Sequence, residues 1–259
     1  MDVTAYLDRI AYRGALTPNA DTLRALHLAH LQTIPFENLD IHLHRPILLD
    51  PERLFQKIVV QRRGGFCYEL NGLFAALLRA FGFPVTYLSA SDAHPDGSYG
   101  PEYDHLTLLV QTSEDGHAHA MTDWLADVGW GDTFCVPLRL DRCDVQAEGA
   151  RAYRLEHIGI NYILWQRQYN GEWERNYRFT LEPRQYADFE AMCDYHQTSP
   201  QSLFTQQRLC TKATPEGRIT LDPMQLITTI HGQRQERTLM GEDEFWALAR
   251  LHFDIEVAV

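Results

Sequence analysis

One stretch constrains this chain more than any other: Arg62-Arg63-Gly64-Gly65-Phe66-Cys67-Tyr68-Glu69-Leu70-Asn71, a glycine pair running into an apolar helical pattern with a cysteine at the junction. Leu70, Leu73, Phe74, Leu77, Leu78 and Phe81 recur at helical spacing, which predicts a helix with Cys67 in its first turn. The two glycines free the backbone for a tight approach just before it. Unpaired N–H groups and the helix dipole favour negative charge at such a position, and only a thiolate attacks carbonyls. Beside a protonated base, the position predicts a thiol pKa below the free value of about 8.5. An isolated cysteine is by default a small buried hydrophobe. Glycines on one side and an amphipathic helix on the other favour a nucleophile instead.

A cysteine nucleophile needs a base to hold its proton and a carboxylate or amide to orient that base. His105 opens the apolar run Leu106 to Val110, a rigid element that would fix its direction. Asp127 lies near the end of Trp124-Leu125-Ala126-Asp127-Val128, just before Gly129-Trp130-Gly131, where a buried carboxylate must have a partner. A satisfied structural histidine and a turn aspartate before glycine stay open as readings of these two residues, because triads are assembled in space and not along the chain. His117, His119 and Asp123, like His42 and His44, read as solvent-facing, so no metal site is expected. Cys135, Cys143, Cys193 and Cys210 lack the spacing of a ligand pair or redox motif, and no Walker, Rossmann or HExxH pattern occurs.

The rest of the chain predicts an α+β order. Helices are expected at Val3 to Tyr12, at Thr22 to Gln32 with Asp21 as N-cap, and from Asp50-Pro51 to about Val60. With the Cys67 helix they make residues 1–84 a helical bundle. Period-two patterns follow at Val85 to Leu88, Leu106 to Val110 and Ala120 to Val128, the last two joined by a turn at Glu114-Asp115-Gly116. Tyr153 to His157, Tyr162 to Tyr169 and Trp173 to Leu181 continue it, with Asn170-Gly171 a hairpin turn, so residues 85–182 form a mostly antiparallel sheet carrying His105 and Asp127. Residues 183–200 read as a helical linker. Residues 201–259 read as a smaller mixed lobe, with strands at Ser202 to Thr211 and Arg218 to Thr220, a hairpin at His231-Gly232 and a closing helix from Glu242 to Phe253.

Of the 259 residues, 45% are hydrophobic and 22% charged, which fits a globular protein. No apolar run approaches the roughly 20 residues of a membrane span. The net charge of −12 opposes binding to nucleic acid or anionic lipid. Met1 to Tyr6 lack the basic then apolar pattern of a signal peptide, and five irregularly spaced cysteines make no disulfide framework, so a cytoplasmic protein is expected.

Three segments carry a family likeness. Pro35-Phe36-Glu37-Asn38-Leu39 resembles a PFENL-type segment, Arg63 to Asn71 an RGGxCxExN nucleophile motif and Asp127 to Gly131 a DVGFG segment of the arylamine N-acetyltransferases of bacterial length. The likeness covers most of the chain. Trp130 departs from it, standing where the family commonly has phenylalanine. The resemblance implies an N-terminal helical bundle, a central antiparallel β-barrel and a C-terminal α/β lid, the first two forming a cysteine-protease-like core. It implies that Cys67, His105 and Asp127 are the triad, that Phe36, Trp130 and Phe204 line the acceptor pocket, and that Gly129 and Gly131 let the backbone approach the acyl donor. A structural ion pair between Glu37 and Arg63 is implied as well. Acetyl-CoA would be a substrate, with no tightly bound cofactor. Acceptors would be arylamines, arylhydrazines and the oxygen of N-hydroxyarylamines. A cysteine hydrolase or transglutaminase-like enzyme with the same three residues is the rival reading, and homodimerisation stays open.

Overall fold

The computed structural model describes residues 1–113, 121–149 and 151–256. The chain opens with α1 (Val3–Arg9) and α2 (Ala20–Thr33), followed by the short strand β1 (Phe36–Glu37), α3 (Leu39–His42) and α4 (Pro51–Phe55). A π-helical turn at Gln56–Val60 extends α4, and α5 (Cys67–Ala80) completes the helical part. Side chains set the helix starts. Asp2 accepts from Ala5 N at 3.1 Å, and Asp50 accepts from Arg53 N at 2.9 Å with Pro51 at the first helical position. The cap of α2 is Asn19, which accepts from Thr22 N at 2.9 Å. The expected cap, Asp21, lies inside the first turn, where its charge still suits the positive helix end. The helix α5 is buried on almost every side, because α1 and α4 pack on one flank and the sheet on the other.

Eight strands follow: β2 (Val85–Asp92), β3 (His105–Ser113), β4 (Met121–Ala126), β5 (Leu138–Arg139), β6 (Gln146–Glu148), β7 (Arg151–Ile158), β8 (Asn161–Arg167) and β9 (Trp173–Phe179). They form one antiparallel sheet in the order β5-β4-β3-β2-β9-β8-β7-β6. The sheet is nearly closed into a barrel. Its two edges are bridged by one side chain, Gln146, which accepts from Arg139 N at 2.9 Å and donates to Arg139 O at 3.0 Å. The strand expected to run to Val128 stops at Ala126, so Asp127 heads a loop. The turn expected at Glu114 to Gly116, with His117, His119 and Ala120, lies outside the described residues.

A helical connection at Tyr186–Phe189 and α6 (Glu190–Thr198) leads to α7 (Leu203–Gln206), β10 (Cys210–Thr214), β11 (Gly217–Leu221), β12 (Gln225–Ile230), β13 (Gln233–Thr238) and α8 (Glu242–Phe253). The strand expected over Ser202 to Thr211 is helical for its first half. Ser202 Oγ caps Phe204 N at 3.2 Å, and Thr205 Oγ1 donates to Ser199 O at 2.7 Å, so local side-chain bonds win over extended pairing. Strands β10 to β13 form a second antiparallel sheet whose outer member is β1, with Phe36 opposite Thr211. The third part of the chain is thus hydrogen-bonded to the segment just ahead of the nucleophile loop, and Phe36 also bridges to Gly65.

Candidate active site

A cavity of about 430 Å³ opens where the helical part, the barrel and the second sheet meet, and Cys67, His105, Trp130, Phe36 and Phe204 all line it. Cys67 is the first residue of α5. Its helix start is held from below by Glu69, whose Oε2 accepts the Phe66 N–H at 3.1 Å while Oε1 takes Lys57 Nζ at 2.8 Å. Lys57 also reaches Asp40 at 2.8 Å, and Arg63 bridges Asp40 at 3.0 Å and Glu37 at 2.8 Å. The expected Glu37–Arg63 pair is therefore one link of a buried five-residue charge network. Burial works against the charged forms of Lys57 and Arg63, but the carboxylates around them raise both pKa values, so both stay charged.

His105 starts β3 and Asp127 follows β4. His105 Nε2 and Asp127 Oδ2 are 2.7 Å apart, with the two residues 2% and 0% exposed. Every lone pair of Asp127 is engaged: Tyr177 Oη donates to Oδ2 at 2.9 Å, and Asn71 Nδ2 and Gly129 N each donate to Oδ1 at 2.9 Å. Burial pushes the Asp127 carboxyl up, but the charge and hydrogen bond of His105, with the bonds from Asn71 and Gly129, outweigh it and hold the pKa below the ordinary value. For His105, burial works downward, and the charge and hydrogen bond of Asp127, with the charges of Asp92 and Asp104, leave its pKa raised. The bond to Asp127 occupies Nε2, which leaves Nδ1 as the ring atom available to the thiol.

The thiol itself corrects the expectation of a lowered pKa. Cys67 is 3% exposed; burial pushes its pKa well above the ordinary value, the charges of Asp92, Cys193 and Asp127 add to this, and a Leu106 backbone hydrogen bond opposes it. The helix end contributes about 0.3–1 kcal/mol, whereas an unpaired buried anion costs several. An isolated thiolate is therefore disfavoured here. Transfer of the proton to an imidazole of raised pKa makes an ion pair without changing the net charge, and that route remains open.

Two glycines serve the site differently. A Cβ on Gly129 would lie 2.8 Å from the Cys67 Cα and 2.6 Å from Asn71 Nδ2, so its bareness lets the Asp127 loop press against α5. Gly131 has φ +90°, a left-handed backbone that turns the loop past Phe36. Trp130 meets the His105 ring edge-on at 5.0 Å and Tyr177 at 4.8 Å, while Phe204 lies 6.2 Å from Phe36. Asn71, Tyr177 and Asp92 carried no individual reading at the sequence level. Asn71 had two available signals: it closes the RGGxCxExN segment, and it lies four residues after Cys67, on the same helix face.

A helical lobe presenting a thiol to a barrel that presents a bonded imidazole and carboxylate has the architecture of the cysteine-protease-like enzymes. Among these, the chain matches the N-acetyltransferase family model over residues 19–259. It is 36% identical to the arylamine N-acetyltransferase of Escherichia coli, over 97% of this chain and 88% of that one. It is 33% identical to the proansamycin X synthase of Amycolatopsis mediterranei, over 95% of each chain. The Mycobacterium marinum arylamine N-acetyltransferase in complex with CoA superposes with a TM-score of 0.89 at 32% identity, covering 98% of this chain and 93% of that one. The chain belongs to the arylamine N-acetyltransferase family, and it is an acyltransferase.

Proposed function

We propose that this enzyme moves an acetyl group from acetyl-CoA to arylamines and arylhydrazines, and to the oxygen of N-hydroxyarylamines, through acetyl-Cys67. The observation that carries the reading is the 2.7 Å bond between His105 and Asp127 on the wall of the cavity that Cys67 also lines. Cys67 gives its proton to His105 Nδ1 and attacks the thioester carbonyl. Backbone N–H groups at the start of α5 stabilise the oxyanion, and CoA departs with the proton from His105. An amine then attacks acetyl-Cys67; neutral His105 takes one of its protons and returns it to the sulfur as the C–S bond breaks.

The acceptor class follows from basicity and shape. Aromatic amines are weakly basic and neutral at pH 7, while alkylamines are protonated and hold no free lone pair. Phe36, Trp130 and Phe204 offer flat apolar faces to a ring. Gly129 and Gly131 shape the loop beside which the thioester arm lies, and residues 201–259 act as the lid over the bundle of 1–84 and the barrel of 85–182, joined by the linker 183–200. A nucleophile of this kind must stay reduced, which favours the cytoplasm.

The test is a chemical quench of enzyme mixed with acetyl-CoA alone. One acetyl group should be found on the Cys67 peptide, and Cys67→Ala should carry none while melting like the parent. Steady-state lines should be parallel in double-reciprocal form. Fast CoA release that continues over many turnovers without an amine would instead identify a hydrolase, the rival reading.

A further inference from the structure

Asp92, the last residue of β2, lines the same cavity as the thiol and takes no part in the charge relay described above. Strand register fixes its direction. Ala90 pairs with His105 and Asp92 with Tyr177, so Asp92 projects from the same sheet face as both rings. Its Oδ1 is cut off from water and has no hydrogen-bond partner among the described residues. A buried acceptor left unpaired costs stability, and such a group beside a reactive thiol points to a ligand atom that completes it. The groups facing it are Asp104 and His105 of the neighbouring segment, His196 of α6, His94 just past β2, and Cys67 of α5. Asp104 Oδ1 lies 3.1 Å from His196 Nε2. Burial and the Asp104 charge raise the Asp92 pKa to about 7, so near neutrality it retains an accepting oxygen in either protonation state.

We propose that Asp92, with its carboxylate turned into the cavity it lines, orients the acceptor by accepting the second N–H of the attacking nitrogen while His105 takes the first. This rests on the acetyl-Cys67 reading above. A primary arylamine brings two N–H bonds and one lone pair. With both N–H bonds held, the lone pair is aimed at the acetyl carbonyl carbon. The N–C bond forms and the C–S bond breaks; the proton held by His105 passes to the sulfur, and the one on Asp92 remains as the amide N–H of the product. The acceptor class selected is therefore primary aromatic amines and hydrazines over N-alkylated ones.

The two half-reactions separate this role from a structural one. In single-turnover experiments, Asp92→Leu should transfer the acetyl group from acetyl-Cys67 to aniline about 10- to 100-fold more slowly than the parent, the loss expected for one hydrogen bond to a charged or partly charged group. Acetylation of Cys67 by acetyl-CoA should not slow, because the Asp92 charge raises the pKa of the thiol and of its His105 partner alike and so leaves proton transfer between them little changed. The preference for aniline over N-methylaniline should shrink in the same variant. Asp92→Asn, which keeps the side-chain shape, should slow transfer by at least about threefold with Cys67 acetylation unslowed. Transfer within about twofold of the parent in both variants, or both half-reactions falling together in both, overturns the proposal. A parent enzyme that forms no acetyl-Cys67 sinks the underlying function instead.

Discussion

Asn71 donates from Nδ2 to Asp127 Oδ1 at 2.9 Å, and its own Oδ1 accepts the Val128 N–H at 2.9 Å. The same Nδ2 reaches Leu106 O at 2.6 Å. One side chain from the nucleophile helix thereby fixes both the strand that begins with His105 and the loop that begins with Asp127. Asn71→Ala should lower kcat/KM about 100-fold through misplacement of the relay. It should also destabilise the fold by about 1–3 kcal/mol, since buried Val128 N–H and Leu106 O lose their partner. Steady-state kinetics and urea unfolding read the two effects; unchanged kinetics would show that the relay holds its geometry without this tie.

Arg63 pairs with Glu37 and shares Asp40 with Lys57. Glu37 is fully buried and also accepts the Leu39 N–H at 2.8 Å, so it cannot turn to solvent when its partner is lost. Arg63→Ala should cost about 3–5 kcal/mol in urea unfolding, the range for leaving a buried charge unpaired. A loss below about 1 kcal/mol would mean that Lys57 takes over both carboxylates.

The acceptor step should depend on pH through His105. In the proposed mechanism its neutral form is the base, so kcat/KM for a weakly basic arylamine should rise with pH and level off above a midpoint higher than the ordinary value of about 6.5. In Asp127→Asn the midpoint should move down, because the charge that raises it is gone, and the maximal rate should fall about 10²–10⁴-fold. The linkage has a matching sign: the raised His105 pKa adds stability below its unfolded value, and this is lost as pH rises through the folded value. A midpoint that stays put in Asp127→Asn would assign the titration to another group.

Trp130 limits the space around His105, against whose ring it packs edge-on. Trp130→Phe should favour bulkier acceptors, with the kcat/KM ratio of a naphthylamine to aniline rising about tenfold, in line with filling or emptying a few carbon atoms of pocket. A panel of amines at fixed acetyl-CoA measures the ratio. An unchanged ratio would place the size limit at Phe36 or Phe204.

Local sequence is enough for most of what depends on neighbouring residues. The α5 pattern, the Asp50-Pro51 helix start and the Asn170-Gly171 hairpin are periodicity and turn chemistry, and the family segments lie contiguous in the chain. It failed where two local rules competed, as at Asn19 against Asp21 and in the Ser202 to Thr211 segment. Only the tertiary structure decided the electrostatics. The helix start suggests a lowered thiol pKa, but desolvation by the barrel and the second sheet outweighs the dipole, and no linear pattern reports how much protein will cover a residue. The same holds for Asn71 and Tyr177, brought to Asp127 from a helix and a strand, and for Asp92, brought to the cavity of Cys67 from another strand: the residues they meet lie far along the chain, and such contacts exist only once the elements have packed.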